Sequence, residues 1–162
     1  MQNDTIIDTE LVEQITQPPE RFLAVLQDFC RLVRLNFDEV LAAGEVVLGD
    51  VRIGFMHFGA LNPTCMRLIV EINLPSSERN EKVFLQLLQA NAVLPVEGLA
   101  FASFPESDRL AFVQTLPLDE QRGLNGQQLH EKILALVEMS RTGHEIVEKS
   151  FGQAVFSGFN KV

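Results

Sequence analysis

The chain has 162 residues, a formal net charge of −9 and a hydrophobic fraction of 46%. A chain of this length can form one domain whose core needs no disulfide or metal. The negative charge argues against binding to nucleic acids or to anionic membranes, because both require a basic surface. The apolar runs are shorter than the roughly 18 residues of a membrane span, and the first residues lack the basic and apolar segments of a secretory signal.

The first half of the chain is predicted to form a helix followed by three strands. A helix is predicted over 19–35, because prolines stand at its start and the apolar residues that follow recur at helical spacing. Residues 36–44 are expected to be irregular. Residues 45–74 are predicted to contain three strands, and Gly49 and Asp50 divide the first two as a turn would. The third strand, over 66–74, alternates in the manner of a half-buried strand.

The second half is predicted to form a helix, two strands and a final helix. Ser77 is a suitable N-cap for the second helix, and Pro95 ends it. Two strands are predicted on either side of the turn sequence Pro-Glu-Ser-Asp. The last helix is expected to begin at Asn125, whose spacing from Gln128 matches a capping box.

The predicted element order, α-βββ-α-ββ-α, indicates an α+β fold in which helices pack on a twisted, mainly antiparallel sheet. A single domain is predicted over residues 19–150. Residues 1–18 and 151–162 are expected to be N-terminal and C-terminal tails.

The sequence contains no recognisable catalytic, metal or cofactor motif. His130 and His144 lie too far apart on one predicted helix to share a metal, and His57 is expected to be a hydrogen-bonded structural histidine. Cys30 and Cys65 have no zinc or redox spacing and are expected to be buried, reduced thiols of a cytoplasmic protein. These observations predict a protein that is not an enzyme and has no cofactor or metal.

The second predicted helix carries more apolar surface than packing on one sheet requires. Its apolar residues cover about 220° of a helical wheel, whereas a helix on one sheet needs a stripe somewhat wider than about 100°. They are Val83, Phe84, Leu85, Leu87, Leu88, Ala90 and Ala92. One interpretation is a helix buried on two sides within one chain. The other is a helix that packs on its own sheet and on a second subunit, most simply in a two-fold homodimer.

The same helix ends in the pair Asn91–Ala92, and a strand, a charged turn and a strand ending in Leu-Pro-Leu at 116–118 follow it. This pattern resembles the type III secretion effector chaperones, the Tir-chaperone (CesT-like) family. The family's element order agrees with the predicted order over roughly residues 20–150. The residues directly after Asn91–Ala92 and the region 36–50 depart from the family's pattern.

The resemblance implies a cytosolic homodimer that holds the N-terminal segment of a secreted effector in extended form, without ATP, for the type III secretion apparatus. Such a segment can add to an exposed strand edge while its apolar side chains enter pockets. By analogy with the family, the dimer interface is predicted at Phe84, Leu85, Leu88, Ala92 and Val113. Effector binding is predicted at Phe22, Leu26, Phe29, Met56, Phe58 and Ile69.

For each of these residues, packing in the chain's own core is the alternative interpretation. Two other functions also stay open. The first is a regulatory protein-binding module on the same fold whose partner is not secreted, which a pull-down would distinguish. The second is a small-molecule binder or an enzyme with an unrecognised site, which an enclosed pocket with converging polar groups would favour.

Overall fold

A computed structural model describes residues 16–72, 81–92, 94, 96–103, 109–118 and 123–146. In chain order its elements are α1 (Glu20–Val33), α2 (Phe37–Ala43), β1 (Glu45–Leu48), β2 (Val51–His57), a 3₁₀ turn (Gly59–Leu61), β3 (Cys65–Ile72), α3 (Glu81–Ala90), β4 (Leu99–Ser103), β5 (Leu110–Pro117) and α4 (Gly126–Ile146). The predicted α+β fold is confirmed. Ser77, Pro95, the side chain of His144 and most of both predicted tails lie outside the described residues.

The five strands form one sheet in the order β1-β2-β3-β5-β4, and every neighbouring pair is antiparallel. Along each strand, successive side chains point to opposite faces of the sheet. The inner face carries the alternating apolar residues expected from the sequence, and they are buried. They are Val51, Ile53, Phe55, Met66, Leu68, Val70, Ile72, Leu99, Phe101, Leu110, Phe112 and Leu116.

The helices α1 and α4 contact each other, and α4 also contacts β3, so that both contribute to one core with the inner face of the sheet. The two helices are in close contact at Gly126. A Cβ atom at this position would lie 2.5 Å from the backbone carbon of Asp28 and 2.5 Å from the backbone nitrogen of Phe29. Only glycine permits this contact, because real Cβ atoms essentially never come within 3.0 Å of heavy atoms beyond their own and the adjacent residues.

The prediction that residues 36–44 are irregular is wrong, because α2 occupies most of this region. The Asn36 side chain caps the helix by accepting hydrogen bonds from the backbone N–H groups of Asp38 (3.0 Å) and Glu39 (3.3 Å). The helix ends at Gly44, which adopts a left-handed conformation with φ 68°. Both end signals are visible in the sequence, but the helix is only seven residues long and has little apolar periodicity to reveal it.

The capping box predicted for the last helix is confirmed. The backbone N–H of Gln128 donates to Asn125 Oδ1 (2.9 Å), and the backbone N–H of Asn125 donates to Gln128 Oε1 (3.0 Å). Five side chains at helical spacing along this helix are also buried, those of Leu129, Ile133, Leu136, Val137 and Ser140. The helix is therefore anchored to the core along most of its length.

Candidate protein-binding surfaces

The apolar residues of α3 divide into a covered and an uncovered set. Leu87 and Ala90 are buried, and Phe84 is partly buried against the core. Leu85 and Leu88 are 55% and 62% exposed. Since Leu85, Leu88 and the exposed Ala92 recur at helical spacing, they form a solvent-facing stripe that we call the α3 stripe. The helix is thus not buried on two sides within its own chain.

The residues predicted for effector binding on α1 occupy the core of the single chain. Phe22, Leu26 and Phe29 are all buried, and Phe29 packs against the ring of Phe55, with 5.7 Å between the ring centroids. A partner could reach them only by displacing core contacts. Their role in effector binding stays a prediction.

The other residues predicted for effector binding, Met56, Phe58 and Ile69, are more exposed than those on α1. Met56 is 43% exposed on the outer face of the sheet. Its Cα partner across the strands is Arg67, whose guanidinium carbon lies 5.0 Å from the centroid of the half-buried Phe58 ring. This is the geometry of a cation–π contact, which holds the arginine over the ring. An apolar side chain and a cation are thereby placed side by side.

Ile69 and Val113 are direct Cα partners in the β3–β5 ladder. Both are half-buried on the outer face, and the same row continues into Gly54 and Ala100. The sequence assigned Ile69 to effector binding and Val113 to the dimer interface. Because the two side chains are adjacent, the two predicted surfaces meet on the outer face.

A chain of ion pairs crosses the outer face beside this apolar row. Arg52 contacts Glu45 (2.8 Å) and Glu71 (3.9 Å), and Arg109 contacts Glu71 (3.9 Å). These groups line a hollow of about 190 Å³ that also includes Gly44, Gly54 and Ile69. The outer face therefore carries a short apolar row next to alternating charges.

The β1 strand presents an open edge, which sequence reasoning missed. The backbone N–H of Phe55 donates to Gly44 O (2.8 Å), so by antiparallel alternation the backbone groups of Glu45 and Val47 point away from β2. No hydrogen bond joins these outward groups to any other part of the chain that the structure describes. Val47 is 60% exposed, and this apolar strand can pair with another strand.

At the opposite edge of the sheet, some outward backbone groups of β4 are hydrogen-bonded within the chain. The backbone N–H of Thr115 donates to Gly98 O (2.8 Å), which places the outward backbone groups at Leu99, Phe101 and Ser103. Both outward groups of Phe101 bond to one side chain. Asn91 Nδ2 donates to Phe101 O (3.0 Å), and the Phe101 N–H donates to Asn91 Oδ1 (2.6 Å).

His57 packs within the fold, and the two thiols, Cys30 and Cys65, differ in burial. His57 Nδ1 accepts the Gly59 backbone N–H (3.2 Å), which confirms the predicted hydrogen bond, and its ring packs against Phe22 with 5.0 Å between the centroids. Burial lowers the pKa of His57 and raises the pKa of the Cys30 thiol. Cys65 is only half-buried, because it is the first residue of β3 and lies on the outer face of the sheet. The prediction that both thiols are buried is therefore wrong for Cys65.

The described residues contain no group of three histidine, cysteine or acidic side chains placed to hold a metal ion. Two larger hollows, of about 490 and 600 Å³, lie beside Pro117 and Lys132 and are open to solvent. They do not enclose a ligand in the manner of a small-molecule pocket. Among the helices that the structure describes, none has the length and apolar character needed to cross a membrane.

Comparisons with known proteins support the fold. No protein-family model matches the chain, and no curated protein matches its sequence. Among solved structures, the chain is similar to the Yersinia pestis type III secretion chaperone SycH, crystallised in complex with a stable fragment of YscM2. The TM-score is 0.53 at 16% sequence identity, over 75% of this chain and 98% of SycH. The chain therefore has the α+β fold of this chaperone.

Proposed function

We propose that the protein is a non-enzymatic, cytosolic chaperone that binds the N-terminal segment of a type III secreted effector and keeps it soluble and competent for secretion. The observation that carries this proposal is the fold likeness to SycH, which extends over nearly the whole of that chain. SycH was crystallised with a fragment of another protein bound. The resemblance of the sequence around Asn91–Ala92 to the effector chaperones supports the same function independently.

The effector segment is proposed to bind in extended form at the β1 edge. The outward N–H and C=O groups of Glu45 and Val47 provide main-chain hydrogen bonds, which give affinity for many sequences. Exposed apolar side chains at Val47, Leu48 and Met56 provide contacts that prefer apolar residues in the bound segment. This arrangement needs neither a nucleotide nor a reacting group.

A homodimer is proposed through the α3 stripe, with Val113 contributing from the outer face. Two exposed leucines one helical turn apart are the type of surface that two copies of a helix can bury against each other. The acidic net charge keeps such an apolar surface soluble before it is covered. Assembly with the type III secretion apparatus is proposed to follow effector binding.

The function is tested by expressing the tagged chain in its own cell, purifying it and identifying the co-purifying proteins by mass spectrometry. The expected partner is a protein that is found in the secreted fraction and that is no longer captured once its N-terminal segment is deleted. A partner that is never secreted would contradict the chaperone function. It would favour the alternative, a regulatory protein-binding module.

The dimer is tested by sedimentation of Leu88→Asp and of a control, Leu61→Asp. Both leucines are strongly exposed, but Leu61 lies on the 3₁₀ turn and not on α3. Leu88→Asp is expected to sediment as a folded monomer, because two carboxylates would have to be buried in the proposed interface. Leu61→Asp is expected to remain a dimer. A folded Leu88→Asp dimer would exclude this interface.

A further inference from the structure

The two edges of the sheet pose a problem for a protein that binds an extended segment. An open antiparallel sheet has outward backbone groups along both edge strands, and either edge can pair with a strand from another chain. Pairing at the wrong edge would lead to uncontrolled self-association. In the described residues the edges differ, because the outward groups of Phe101 on β4 are bonded within the chain and those of Val47 on β1 are not.

We propose that the Asn91 side chain closes the β4 edge to strand addition and thereby directs an incoming strand to the β1 edge. The role of β1 rests on the proposed function. The role of Asn91 rests on hydrogen bonds within this chain and does not require an effector. It also assigns a structural role to Asn91 of the Asn91–Ala92 pair, which contains no chemically reactive group.

The amide of Asn91 substitutes for one peptide unit of a neighbouring strand. It offers one acceptor to the Phe101 N–H and one donor to the Phe101 C=O, the two bonds that a strand would make at this position. Phe101 is the central one of the three outward positions of β4. A strand that added to this edge would have to displace both bonds, and the side chain itself occupies the space.

A second contact restricts the same edge. The N–H of Leu99, the first outward position of β4, donates to Val96 O (3.2 Å). Of the three outward N–H groups on β4, those of Leu99 and Phe101 are therefore already bonded, and the third belongs to the exposed Ser103. Phe101, which Asn91 covers, is thus the outward position of β4 at which both backbone groups are bonded within the chain.

The test compares self-association of Asn91→Ala with that of Asn125→Ala. The control also removes an asparagine side chain that bonds a backbone N–H, but at the start of α4 and not at a sheet edge. Asn91→Ala is expected to raise the equilibrium constant for higher-order association about tenfold or more, measured by sedimentation over a range of concentrations. Asn125→Ala is expected to associate like the unmodified chain. Equal association of all three proteins would overturn the proposal.

A second variant shows whether the association occurs at the β4 edge. Ser103→Lys introduces a charge on the same edge, and edge lysines oppose strand pairing. Combined with Asn91→Ala, it is expected to return association to the level of the unmodified chain. Undiminished association of the double variant would place the contact elsewhere and overturn the proposal. If Asn91→Ala does not fold, Asn91→Ser replaces it, because serine is polar but too short to bond both Phe101 groups.

The β1 part is tested separately with Val47→Pro and the partner identified by co-purification. Proline removes only the outward N–H at this position, so the bonds to β2 are retained. Partner affinity is expected to fall about tenfold or more, with an unchanged fold by circular dichroism. Unchanged affinity would exclude the β1 edge while leaving the Asn91 result intact. A failure of the chaperone function and a failure of the edge assignment are therefore distinguishable.

Discussion

The inner and outer faces of the sheet differ in how far the chain itself covers them. On the inner face, neighbouring strands contribute residues such as Ile53, Leu68 and Phe112, which are almost completely buried in the core cluster. On the outer face, Ile69 and Val113 are half-buried, and Met56 is 43% exposed. The same three strands supply both faces, so the difference arises from what packs on them and not from the strands.

This difference separates stability from function. Apolar area that is already buried within the chain contributes to folding, whereas apolar area left on the surface is available to a partner. The inner face therefore explains why the chain folds, whereas the outer face, the α3 stripe and the β1 edge keep apolar side chains exposed. The following predictions test this division, from the largest expected effect to the smallest.

Two consecutive residues of β3 provide the most direct test. Leu68 points to the inner face and is fully buried, whereas Ile69 points to the outer face and is half-buried. Leu68→Ala is expected to lower the free energy of unfolding by about 2–5 kcal/mol, because it leaves a cavity. Ile69→Ala is expected to cost about 1 kcal/mol. Urea denaturation measures both, and equal losses would contradict the division between the faces.

The sequence predicted the inner face well but could not predict the edges. Alternation in residues 66–74 identified the buried side of β3, because side-chain period alone determines which residues share a face. Strand order depends on which strands pair across the chain, and β5 lies between β3 and β4. No local pattern contains this information, so the open edge at Val47 and the closed edge at Phe101 became visible only in the structure.

The candidate site was predicted in part, for a related reason. Helical spacing indicated a surplus apolar arc on α3, and Leu85 and Leu88 are indeed exposed. The same reasoning could not distinguish buried from exposed apolar residues on α1. Phe22 and Leu26 have the same periodicity as a surface stripe would have, and only the packing of α4 against α1 reveals that they belong to the core.

Glycine substitutions on the two sides of the sheet are expected to have opposite effects. Gly126→Ala places a Cβ atom 2.5 Å from the α1 backbone, which cannot move independently of its helix, and is expected to cost about 1–3 kcal/mol. Gly54→Ala on the outer face meets Ile69 Cβ at 3.6 Å, an ordinary contact, and is expected to be neutral or stabilising by up to about 1 kcal/mol. Thermal unfolding compares them. A tolerated Gly126→Ala would show that α1 and α4 are not held at this distance.

His57 lies at the end of the inner face and makes stability depend on pH. Its neutral ring accepts the Gly59 N–H, and burial lowers its pKa below the ordinary value of about 6.5. As the pH falls below about 6.5, the unfolded chain binds a proton more readily than the folded chain, so stability is lost progressively towards the folded-state pKa. His57→Gln is expected to remove the part of this slope that begins below about pH 6.5. An unchanged slope in urea titrations would assign it to other groups.

The smallest effect is expected from the charges on the outer face. Glu71 lies 3.9 Å from Arg52 and 3.9 Å from Arg109, and all three side chains are partly exposed. Glu71→Gln is therefore expected to change the free energy of unfolding by less than about 1 kcal/mol, and the change should vanish near 1 M salt. A loss as large as that of Leu68→Ala would mean that these ion pairs stabilise the chain itself. A small loss would show that these exposed charges contribute little to folding.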